Sequence, residues 1–442
     1  MEDVTRIVII GGGPGGYEAA LVAAQLGADV TVIERDGPGG ACVLTDCVPS
    51  KTLIATSTRI SVMSESAGLG LRFSGGPDGI VGALEADMPT VNKRVKDLAR
   101  AQSFDIAERL AYEEVKIVRG EGRLVEPHVV AVGDRRIRAD IVLIATGATP
   151  RVLPGAEPDG ERILDWRQLY DLPELPEELI VVGSGVTGAE LAGAYLALGS
   201  KVTLVSSRDR ILPTEDADAA AVLQEVFLRR GMNVISRSRA AGVERTGDGV
   251  VVTLEDGSKV EGSHCLMTVG MVPNTKGIGL EEVGVRCDSR GFVEVDKVSR
   301  TSVPNIYASG DCTGVLMLAS VAGMQGRIAM WHALGEAVQP LKLGWVASNI
   351  FTDPEVASVG VTQQMVDSGE VNARTVMLPL FTNARAKMQG FEDGFVKLFC
   401  RPSTGIILGG VIVAPRASEL SLGVAMAVQQ HLTVNQVAQT FA

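Results

Sequence analysis

The stretch IIGGGPGGYEAALVAAQLGADVTVIERD, residues 9–36, decides the fold of this 442-residue chain. It reads as an apolar strand, a glycine-rich turn, a helix of small residues and a second strand, which together form a βαβ unit. In a G-x-G-x-x-G turn, the first glycine makes the tight turn, the second lets the backbone approach a pyrophosphate and the third lets the helix pack on the strand. The N-terminus of the helix then faces the phosphates. The stretch therefore predicts a dinucleotide site.

The same pattern recurs in VVGSGVTGAELAGAYLALGSKVTLVSSR, residues 181–208, which aligns with the first stretch without a gap. A single glycine-rich turn also occurs for packing alone, but two in register indicate two dinucleotide sites. The first unit ends in Glu34, which is placed to accept hydrogen bonds from ribose hydroxyls. The second unit has Ser206 there, followed by Arg208 and Arg210. Without a carboxylate to repel a 2′-phosphate, the second site is expected to tolerate NADPH, unless both arginines are solvated surface residues.

The composition is that of an ordinary globular protein. Apolar residues make up 46% of the chain and charged residues 21%, which excludes a disordered polypeptide. The net charge of −12 argues against nucleic acid or an anionic membrane surface as a partner. Neither a membrane-spanning apolar run nor a signal-peptide pattern is present, and the six cysteines do not resemble a secreted disulfide framework. We expect a cytoplasmic protein without a membrane span.

Two further apolar strands end in turns that suit a ligand. Residues 141–147, IVLIATG, read as a buried strand with a small-residue turn, and residues 305–311, NIYASGD, place Asp311 just past the carboxyl end of another strand. Ligands of open α/β sheets bind at this edge. Residues 318–334 then read as a helix whose N-terminus points back at the same site. From Leu343 the pattern changes to β-rich segments with intervening helices, which predicts a further domain.

The chemically most distinctive stretch is GGACVLTDCVPSK, residues 39–51, which contains Cys42 and Cys47. Along a straight helix, five residues rise by about 7.5 Å, whereas a disulfide needs Cα atoms within about 7 Å. A bridge therefore requires an irregular turn, for which the glycine pair and Pro49 are suited. A zinc site is disfavoured because a C-x-x-C spacing and two more ligands are not found nearby. Spacing alone leaves a redox-active pair and two buried thiols as alternatives, and the position after the first βαβ unit favours the redox pair.

Together these motifs resemble the flavoprotein disulfide reductases of the lipoamide dehydrogenase and glutathione reductase type. The resemblance covers essentially the whole chain through GGGPGG with Glu34, GGACVLTDCVPSK, the ATG turn, GSGVTGAE, IYASGDC and FTDPEVASVGVT. It implies FAD at the first βαβ unit, NAD(P)H at the second and a C-terminal domain that forms an obligate homodimer. Hydride is then expected to pass from nicotinamide to flavin N5, and electrons from the flavin to the disulfide.

The resemblance implies an α/β fold with two Rossmann-like dinucleotide-binding domains, for FAD and NAD(P), and a C-terminal α+β dimerisation domain. We expect the FAD-binding domain over residues 1–150 and 272–342, the NAD(P)-binding domain over 151–271 and the interface domain over 343–442. In alignment with the family, the chain ends just before the histidine of a C-terminal His–Glu dyad that assists proton transfer to and from the exchanging thiol.

The resemblance also implies the roles of individual residues. Cys47 is expected next to the flavin, while Cys42 exchanges with a substrate. Lys51, otherwise a solvated helix lysine, is expected near flavin N5 in a pair with Glu190, and Asp311 is expected to bind the ribitol of FAD. The expected cofactor-binding residues are Gly11, Gly13, Pro14, Gly16, Glu34, Arg35, Gly40, Ala41, Cys42, Lys51, Ala145, Thr146, Gly147, Gly183, Gly185, Gly188, Glu190, Ser206, Arg208, Gly270, Gly310, Asp311, Leu318, Ala319 and Ser320. No metal ligands are expected.

Departures from the family pattern indicate which reaction to expect. None of the four histidines fits the family's His-Pro-Thr-x-x-Glu stretch. Asp46 stands where lipoamide dehydrogenases commonly have glycine, and its charge beside Cys47 would oppose thiolate formation. Ser320 and Gln325 stand where those enzymes commonly have histidine and glutamate. Thiol exchange is therefore expected to be slow, whereas reduced flavin can still pass electrons directly to a small acceptor.

The pattern resembles the branch of LpdA-type NAD(P)H:quinone reductases, through GGACVLTDCVPSK, the helix ASVAGMQGRIAM and TNARAKM at residues 382–388. It implies NAD(P)H oxidation with two-electron reduction of small quinones by a homodimer. One alternative is a dihydrolipoamide dehydrogenase or another disulfide reductase that uses Cys42 and Cys47. Mercuric reductase is disfavoured because a C-terminal cysteine pair is missing. The alternative from another class is a non-catalytic FAD redox sensor or assembly subunit.

Overall fold

The computed structural model describes residues 4–71 and 85–440. The chain divides into two compact units. The first comprises Met1–Ser50, Lys93–Arg151 and Met271–Leu341, and the second comprises Lys51–Asn92, Val152–Gly270 and Lys342–Ala442. The three-domain division expected from the sequence stays a prediction, and residues 72–84 of its first domain lie outside the described residues.

The helices in the described ranges are, in chain order, α1 (Pro14–Gln25), α2 (Gly40–Leu44), α3 (Cys47–Glu65), α4 (Met88–Tyr112), α5 (Val186–Leu198), α6 (Ala217–Arg229), α7 (Ala319–Ala333), α8 (Gln363–Asp367), α9 (Ala384–Met388), α10 (Ala417–Gln429) and α11 (Val434–Ala438). The strands are β1 (Arg6–Ile10), β2 (Asp29–Glu34), β3 (Lys116–Arg119), β4 (Arg123–Glu126), β5 (Val129–Val132), β6 (Arg135–Arg138), β7 (Ile141–Ile144), β8 (Ala148–Pro150), β9 (Ile163–Leu164), β10 (Glu178–Val182), β11 (Lys201–Val205), β12 (Asn233–Ile235), β13 (Ala240–Thr246), β14 (Gly249–Leu254), β15 (Lys259–Gly262), β16 (His264–Met267), β17 (Met271–Pro273), β18 (Ile306–Ala308), β19 (Ala347–Ile350), β20 (Glu355–Gly360), β21 (Arg374–Pro379), β22 (Phe395–Cys400) and β23 (Ile407–Ala414). None of these helices is both long enough and apolar enough to cross a membrane.

The first unit is built on a five-stranded sheet in the order β18-β7-β1-β2-β3, with all neighbouring strands parallel. A three-stranded antiparallel sheet, β4-β5-β6, and the pair β17-β8 complete it. Helix α1 packs on the sheet and on α7 through small residues. The contact is close because a Cβ on Gly326 of α7 would lie 2.1 Å from the carbonyl oxygen of Gly15. Residues 318–334 were expected to be helical, and α7 confirms this.

The second unit contains the other parallel sheet, in the order β12-β11-β10-β16-β9. An antiparallel sheet, β13-β14-β15, shares a core with it. The C-terminal segment forms a five-stranded antiparallel sheet in the order β19-β20-β23-β22-β21, with α10 packed against its central strands. Two parallel βαβ sheets and a C-terminal α+β segment confirm the predicted fold class.

Candidate functional site

The turn between β1 and α1 is lined by backbone because side chains do not fit there. A Cβ on Gly11 would lie 2.2 Å from the carbonyl oxygen of Ala145, and a Cβ on Gly16 would lie 1.9 Å from that of Gly11. Helix α1 begins at Pro14, after Gly13, without a side-chain cap. Because no side chain caps it, the N-terminus of α1 is open to an anion, as a pyrophosphate requires, although Pro14 has no N–H and the N–H of Gly16 donates to the carbonyl oxygen of Gly13 at 2.8 Å.

Glu34 closes one side of this turn from the end of β2. Its carboxylate accepts hydrogen bonds from the backbone N–H groups of Gly12 at 2.6 Å, Asp36 at 2.7 Å and Gly37 at 3.3 Å. These bonds fix an acid at the position where a ribose hydroxyl donor is expected. The neighbouring Arg35 pairs with Asp36 and Glu121, and its expected place at the cofactor stays a prediction.

A second acid of the first unit follows β18. Burial and, next, the negative charge of Asp46 raise the pKa of Asp311 to about 6. Gln325 on α7 holds the turn before it, since its side-chain oxygen accepts the N–H of Gly310 at 2.9 Å. The hydroxyl of Ser309 is buried without a hydrogen-bond partner among the described residues. A buried hydroxyl without a protein partner, next to a turn lined by backbone, suits a polar ligand such as FAD.

The first turn of α7 is exposed at the residues expected to contact the flavin. Leu318 is the N-cap residue and has no side-chain capping hydrogen bond, and Ala319 and Ser320 are exposed. The partial positive charge of this 15-residue helix is therefore directed at whatever binds in front of it.

The cysteine pair lies at a break between two helices. Cys42 belongs to α2, and Cys47 is the first residue of α3. Between them Thr45 and Asp46 leave the helix, and both of their N–H groups bond back to the carbonyl oxygen of Ala41. The irregular turn that a disulfide requires is thus present, and both side chains are half-buried. The Cys42–Cys47 disulfide itself stays a prediction.

Tyr17 on α1 is a neighbour of the pair that sequence reasoning missed. Burial, the charge of Glu18 and the charge of a Cys42 thiolate raise the pKa of Tyr17. A phenol with a raised pKa stays protonated at neutral pH, so it can donate a hydrogen bond but cannot act as a base. No spacing in the sequence links α1 to α2, so nothing in the pattern could have signalled this contact.

In the second unit, Lys51 and Glu190 form the ion pair that the resemblance implied. The Nζ atom of Lys51 lies 2.6 Å from Oε2 of Glu190, whose side chain is only 3% exposed. The other carboxylate oxygen accepts the backbone N–H of Phe351 at 2.8 Å, and the phenyl ring of Phe351 lies 5.2 Å from Lys51 Nζ. Phe351 was not singled out from the sequence, although it opens the FTDPEVASVGVT motif.

The turn between β10 and α5 repeats the first turn with one exchanged pair of side chains. A Cβ on Gly188 would lie 1.9 Å from the carbonyl oxygen of Gly183, as at the first site. Where the first unit has Gly12 and Glu34, the second has the hydroxyls of Ser184 and Ser206, which are 2.7 Å apart. Gly185 is the N-cap residue of α5.

The loop after β11 is held by Ser206, which is fully buried. Its hydroxyl accepts the N–H of Arg208 at 3.1 Å and lies 3.2 Å and 3.3 Å from the carbonyl oxygens of Arg208 and Arg210. The side chain of Arg208 is exposed, whereas Nε of Arg210 is buried without a hydrogen-bond partner among the described residues. Both arginines belong to the loop that follows β11, and their role at the ribose stays a prediction. Gly270, from the turn after β16, has a φ of 102°.

Comparison with known protein families identifies the chain. The model of the pyridine nucleotide-disulphide oxidoreductases matches residues 5–326, and that of their dimerisation domain matches residues 346–442. The chain belongs to the pyridine nucleotide-disulphide oxidoreductases. This confirms the predicted family and the enzyme class. The cofactors of this family are FAD and NAD(P)H, and the residues of both glycine turns fit them.

Individual relatives of this oxidoreductase cover nearly its whole length. It is 55% identical to the NAD(P)H dehydrogenase (quinone) of Mycobacterium tuberculosis, over 99% of this chain and 91% of the relative. It is 34% identical to the dihydrolipoyl dehydrogenase of Geobacillus stearothermophilus, over 99% of this chain and 92% of the relative. The crystal structure of LpdA from Mycobacterium tuberculosis superimposes with a TM-score of 0.93 at 55% identity and covers 99% of this chain and 96% of that one.

The matched dimerisation domain supports a homodimer of this oxidoreductase. Its edge strand β21 and helix α10 expose large apolar side chains. These are Val376, Met377, Leu378, Leu420, Leu422 and Met426. Exposed large apolar side chains on this domain are in agreement with dimerisation through it.

Proposed function

We propose that this oxidoreductase takes a hydride from NAD(P)H through bound FAD and reduces small quinones by two electrons. The observation that carries the proposal is the 55% identity, across 99% of the chain, to a protein named NAD(P)H dehydrogenase (quinone). Identity to the dihydrolipoyl dehydrogenase of Geobacillus stearothermophilus is 34% over the same share of the chain. The quinone is the proposed partner besides a second copy of the chain, and a cytoplasmic location stays a prediction.

The first glycine turn would hold the FAD pyrophosphate on backbone N–H groups at the start of α1. Glu34 would accept the ribose hydroxyls and Asp311 the ribitol hydroxyls. When bound, FAD supplies the hydride-accepting and electron-donating chemistry that the amino acids lack. The uncapped N-terminus of α7 would stabilise negative charge that develops on the reduced cofactor.

Lys51 and Glu190 would act as a fixed charge pair in hydride transfer. A buried carboxylate keeps the ammonium group of Lys51 in one place, with Nζ 2.6 Å from Oε2. An ammonium group held in this way favours an acceptor that becomes negative on reduction. Glu190 would serve as the anchor and Lys51 as the charge available to the reaction.

The surroundings of the cysteine pair support direct transfer to a quinone over thiol exchange. Exchange requires a thiolate and a base that accepts its proton. Tyr17 is held protonated by its raised pKa. Gln325, a neutral amide, is engaged in holding the Gly310 turn. The negative charge of Asp46 next to Cys47 opposes the thiolate. A quinone that accepts electrons at the flavin needs none of these groups.

A second candidate function is disulfide reduction through Cys42 and Cys47, as in dihydrolipoyl dehydrogenases. The helix break between α2 and α3 favours it, because it provides the turn that a disulfide requires. Cys47 also lies at the N-terminus of a 19-residue helix, where the helix dipole favours a thiolate. The two candidates make opposite predictions for a variant without the exchanging thiol.

The test follows anaerobic NADPH oxidation by the holoenzyme with a small benzoquinone and, in parallel, with lipoamide. We expect turnover with the quinone to exceed turnover with lipoamide by about tenfold or more, which corresponds to about 1.4 kcal/mol in barrier. Cys42→Ser should keep quinone turnover within about twofold of the wild-type value if electrons leave from the flavin.

Fast lipoamide turnover that disappears in Cys42→Ser would replace the proposal with disulfide reduction. The bound flavin provides an internal control, since NADPH should bleach its absorbance before any acceptor is added. A flavin that NADPH does not bleach would contradict both enzymatic candidates and favour a redox sensor or assembly subunit.

A further inference from the structure

The carboxylate of Glu190 is removed from water, so its charge depends on hydrogen-bond donors from the protein. Each oxygen has its own donor. Oε2 accepts from Lys51 Nζ at 2.6 Å, and Oε1 accepts from the backbone N–H of Phe351 at 2.8 Å. Because the two donors occupy different oxygens, the carboxylate is fixed in its plane as well as in its position. Phe351 is thus a partner of the acid through its main chain.

The side chain of Phe351 contacts the other member of the pair. Its ring centroid lies 5.2 Å from Nζ of Lys51, within the distance at which a cation is attracted to an aromatic face. The side chain of Lys51 is 34% exposed, so it is partly open to solvent, and the ring of Phe351 is one of the groups beside it. Phe351 therefore contacts Glu190 through its backbone N–H and Lys51 through its aromatic ring.

Strand β19 before Phe351 and the hydrogen-bonded loop after it fix the position of this residue. Strand β19 ends at Ile350, which pairs with Val356 of β20. In the loop between these strands, the hydroxyl of buried Thr352 donates to the carbonyl oxygen of Pro354 at 2.7 Å. Arg230 donates to the carbonyl oxygen of Asp353 at 2.9 Å. Phe351 thus belongs to a loop that hydrogen bonds hold in place.

We propose that Phe351 is a positioning residue that fixes the Lys51–Glu190 pair for hydride transfer. Its backbone N–H orients Glu190, and its aromatic face keeps the ammonium group of Lys51 in place. This inference rests on the proposed function for the role of Lys51. It assigns to the C-terminal segment of the chain a contribution to the reductive half of the reaction, in addition to dimerisation.

The test compares Phe351→Leu and Phe351→Tyr with the wild-type holoenzyme. Leucine keeps the backbone N–H and most of the apolar volume but removes the aromatic face, whereas tyrosine keeps the face. The first measurement is the rate at which an amine-reactive acetylating reagent labels Lys51, read by mass spectrometry of the peptide. We expect Phe351→Leu to raise this rate about threefold to fivefold, because loss of the aromatic face removes a contact that restrains the ammonium group and limits its access to the reagent. Phe351→Tyr should label at the wild-type rate.

The second measurement is the anaerobic reduction of the flavin by NADPH in a stopped-flow instrument. Phe351→Leu should lower the limiting rate by about fivefold and leave the Kd of NADPH unchanged, since the ring acts on the reacting charge and not on coenzyme binding. Phe351→Tyr should restore the limiting rate. Phe351→Met serves as a second ring-free variant if Phe351→Leu does not retain FAD.

A matched control is available elsewhere in the same unit. The ring of Phe395 lies 5.4 Å from Nζ of Lys397, another aromatic–lysine contact. Phe395→Leu should leave Lys51 labelling and flavin reduction at the wild-type values. Wild-type labelling and reduction in Phe351→Leu would overturn the proposal, and so would an equal loss in Phe351→Tyr. Neither measurement contains a quinone, so the failure of quinone reduction would not be mistaken for the failure of this inference.

Discussion

The two βαβ units, residues 6–34 and 178–206, have nearly the same backbone but differ in one pair of side chains. In both, the third glycine of the turn would place a Cβ 1.9 Å from the carbonyl oxygen of the first. In the first unit, Glu34 accepts the N–H of Gly12 at 2.6 Å. In the second, two hydroxyls take these positions and lie 2.7 Å apart.

The difference teaches that the glycines build the turn and that the side-chain pair selects the nucleotide. A carboxylate at the end of the second strand favours ribose hydroxyls and repels a phosphate, because like charges brought together are destabilising. A buried serine removes that repulsion and uses its hydroxyl to shape the loop that carries Arg208 and Arg210. We therefore expect the same local fold to serve an FAD site in the first unit and a nicotinamide-coenzyme site that tolerates a 2′-phosphate in the second.

The largest effect is expected from breaking each turn in the same way, with Gly16→Ala and Gly188→Ala. Each new Cβ would collide with a backbone carbonyl, and the relief of such overpacking typically costs about 1–3 kcal/mol, or up to about a hundredfold in affinity. Gly16→Ala should lose FAD, as measured by the ratio of flavin to protein absorbance after gel filtration. Gly188→Ala should keep FAD but need far more NADPH to bleach it.

The two variants are controls for each other. If Gly188→Ala lost FAD as readily as Gly16→Ala, the two turns would not act as separate sites. An unchanged flavin content in Gly16→Ala would contradict the assignment of the first turn to FAD.

A smaller effect is expected when the second site receives the side chains of the first. The double variant Ser184→Gly with Ser206→Glu recreates the Gly12–Glu34 pair. The ratio of kcat/KM for NADPH to kcat/KM for NADH should fall by about tenfold to thirtyfold, because the new carboxylate repels the 2′-phosphate. Steady-state kinetics with both coenzymes measure this ratio. Ser184→Gly alone should change it little, and a double variant with the wild-type ratio would show that Ser206 does not select the coenzyme.

The smallest effect concerns pH and the first unit alone. The pKa of Asp311 is raised by burial and by Asp46 from 3.8 to about 6. The folded protein therefore binds this proton more tightly than the unfolded chain does. The stabilisation is fully present below about pH 4 and is lost as the pH rises towards 6. Relative to Asp311→Asn, the FAD-free wild-type protein should lose stability across this range.

Urea denaturation at several pH values measures the stability difference between the wild-type protein and Asp311→Asn. Asp46→Asn should reduce the pH dependence, because it removes the neighbouring charge that contributes to the shift. Ser206→Ala, the matched change in the second unit, should run parallel to the wild-type protein at all pH values. A difference between wild type and Asp311→Asn that does not vary with pH would contradict the raised pKa.

Local patterns explain why much of the fold could be predicted. The glycine turns, the strand that leads to Asp311 and helix α7 are each encoded within a short stretch, where periodicity and glycine spacing determine the conformation. The need for an irregular turn between Cys42 and Cys47 followed from helix geometry, and the structure has that turn at Thr45 and Asp46.

The parts of the site that could not be predicted depend on distant segments. Tyr17, on another helix, is subject to the charge of Cys42, and Phe351 reaches Glu190 from the loop after β19, far along the chain. Such contacts are set by tertiary packing, which no local pattern encodes. Ser184 could have been predicted as part of the second site, since the gapless alignment places it opposite Gly12. The pair of Arg35 with Glu121 is likewise a tertiary contact that the sequence did not indicate.

Strand β21 lies at the edge of its sheet, and Val376, Met377 and Leu378 on it are exposed. An apolar edge strand with unpaired backbone groups is a template on which other chains can add as strands, and this is a common start of aggregation. Pairing with a second copy of the chain covers such a surface. Dimer formation would therefore protect newly made chains from aggregation. This role is separate from electron transfer.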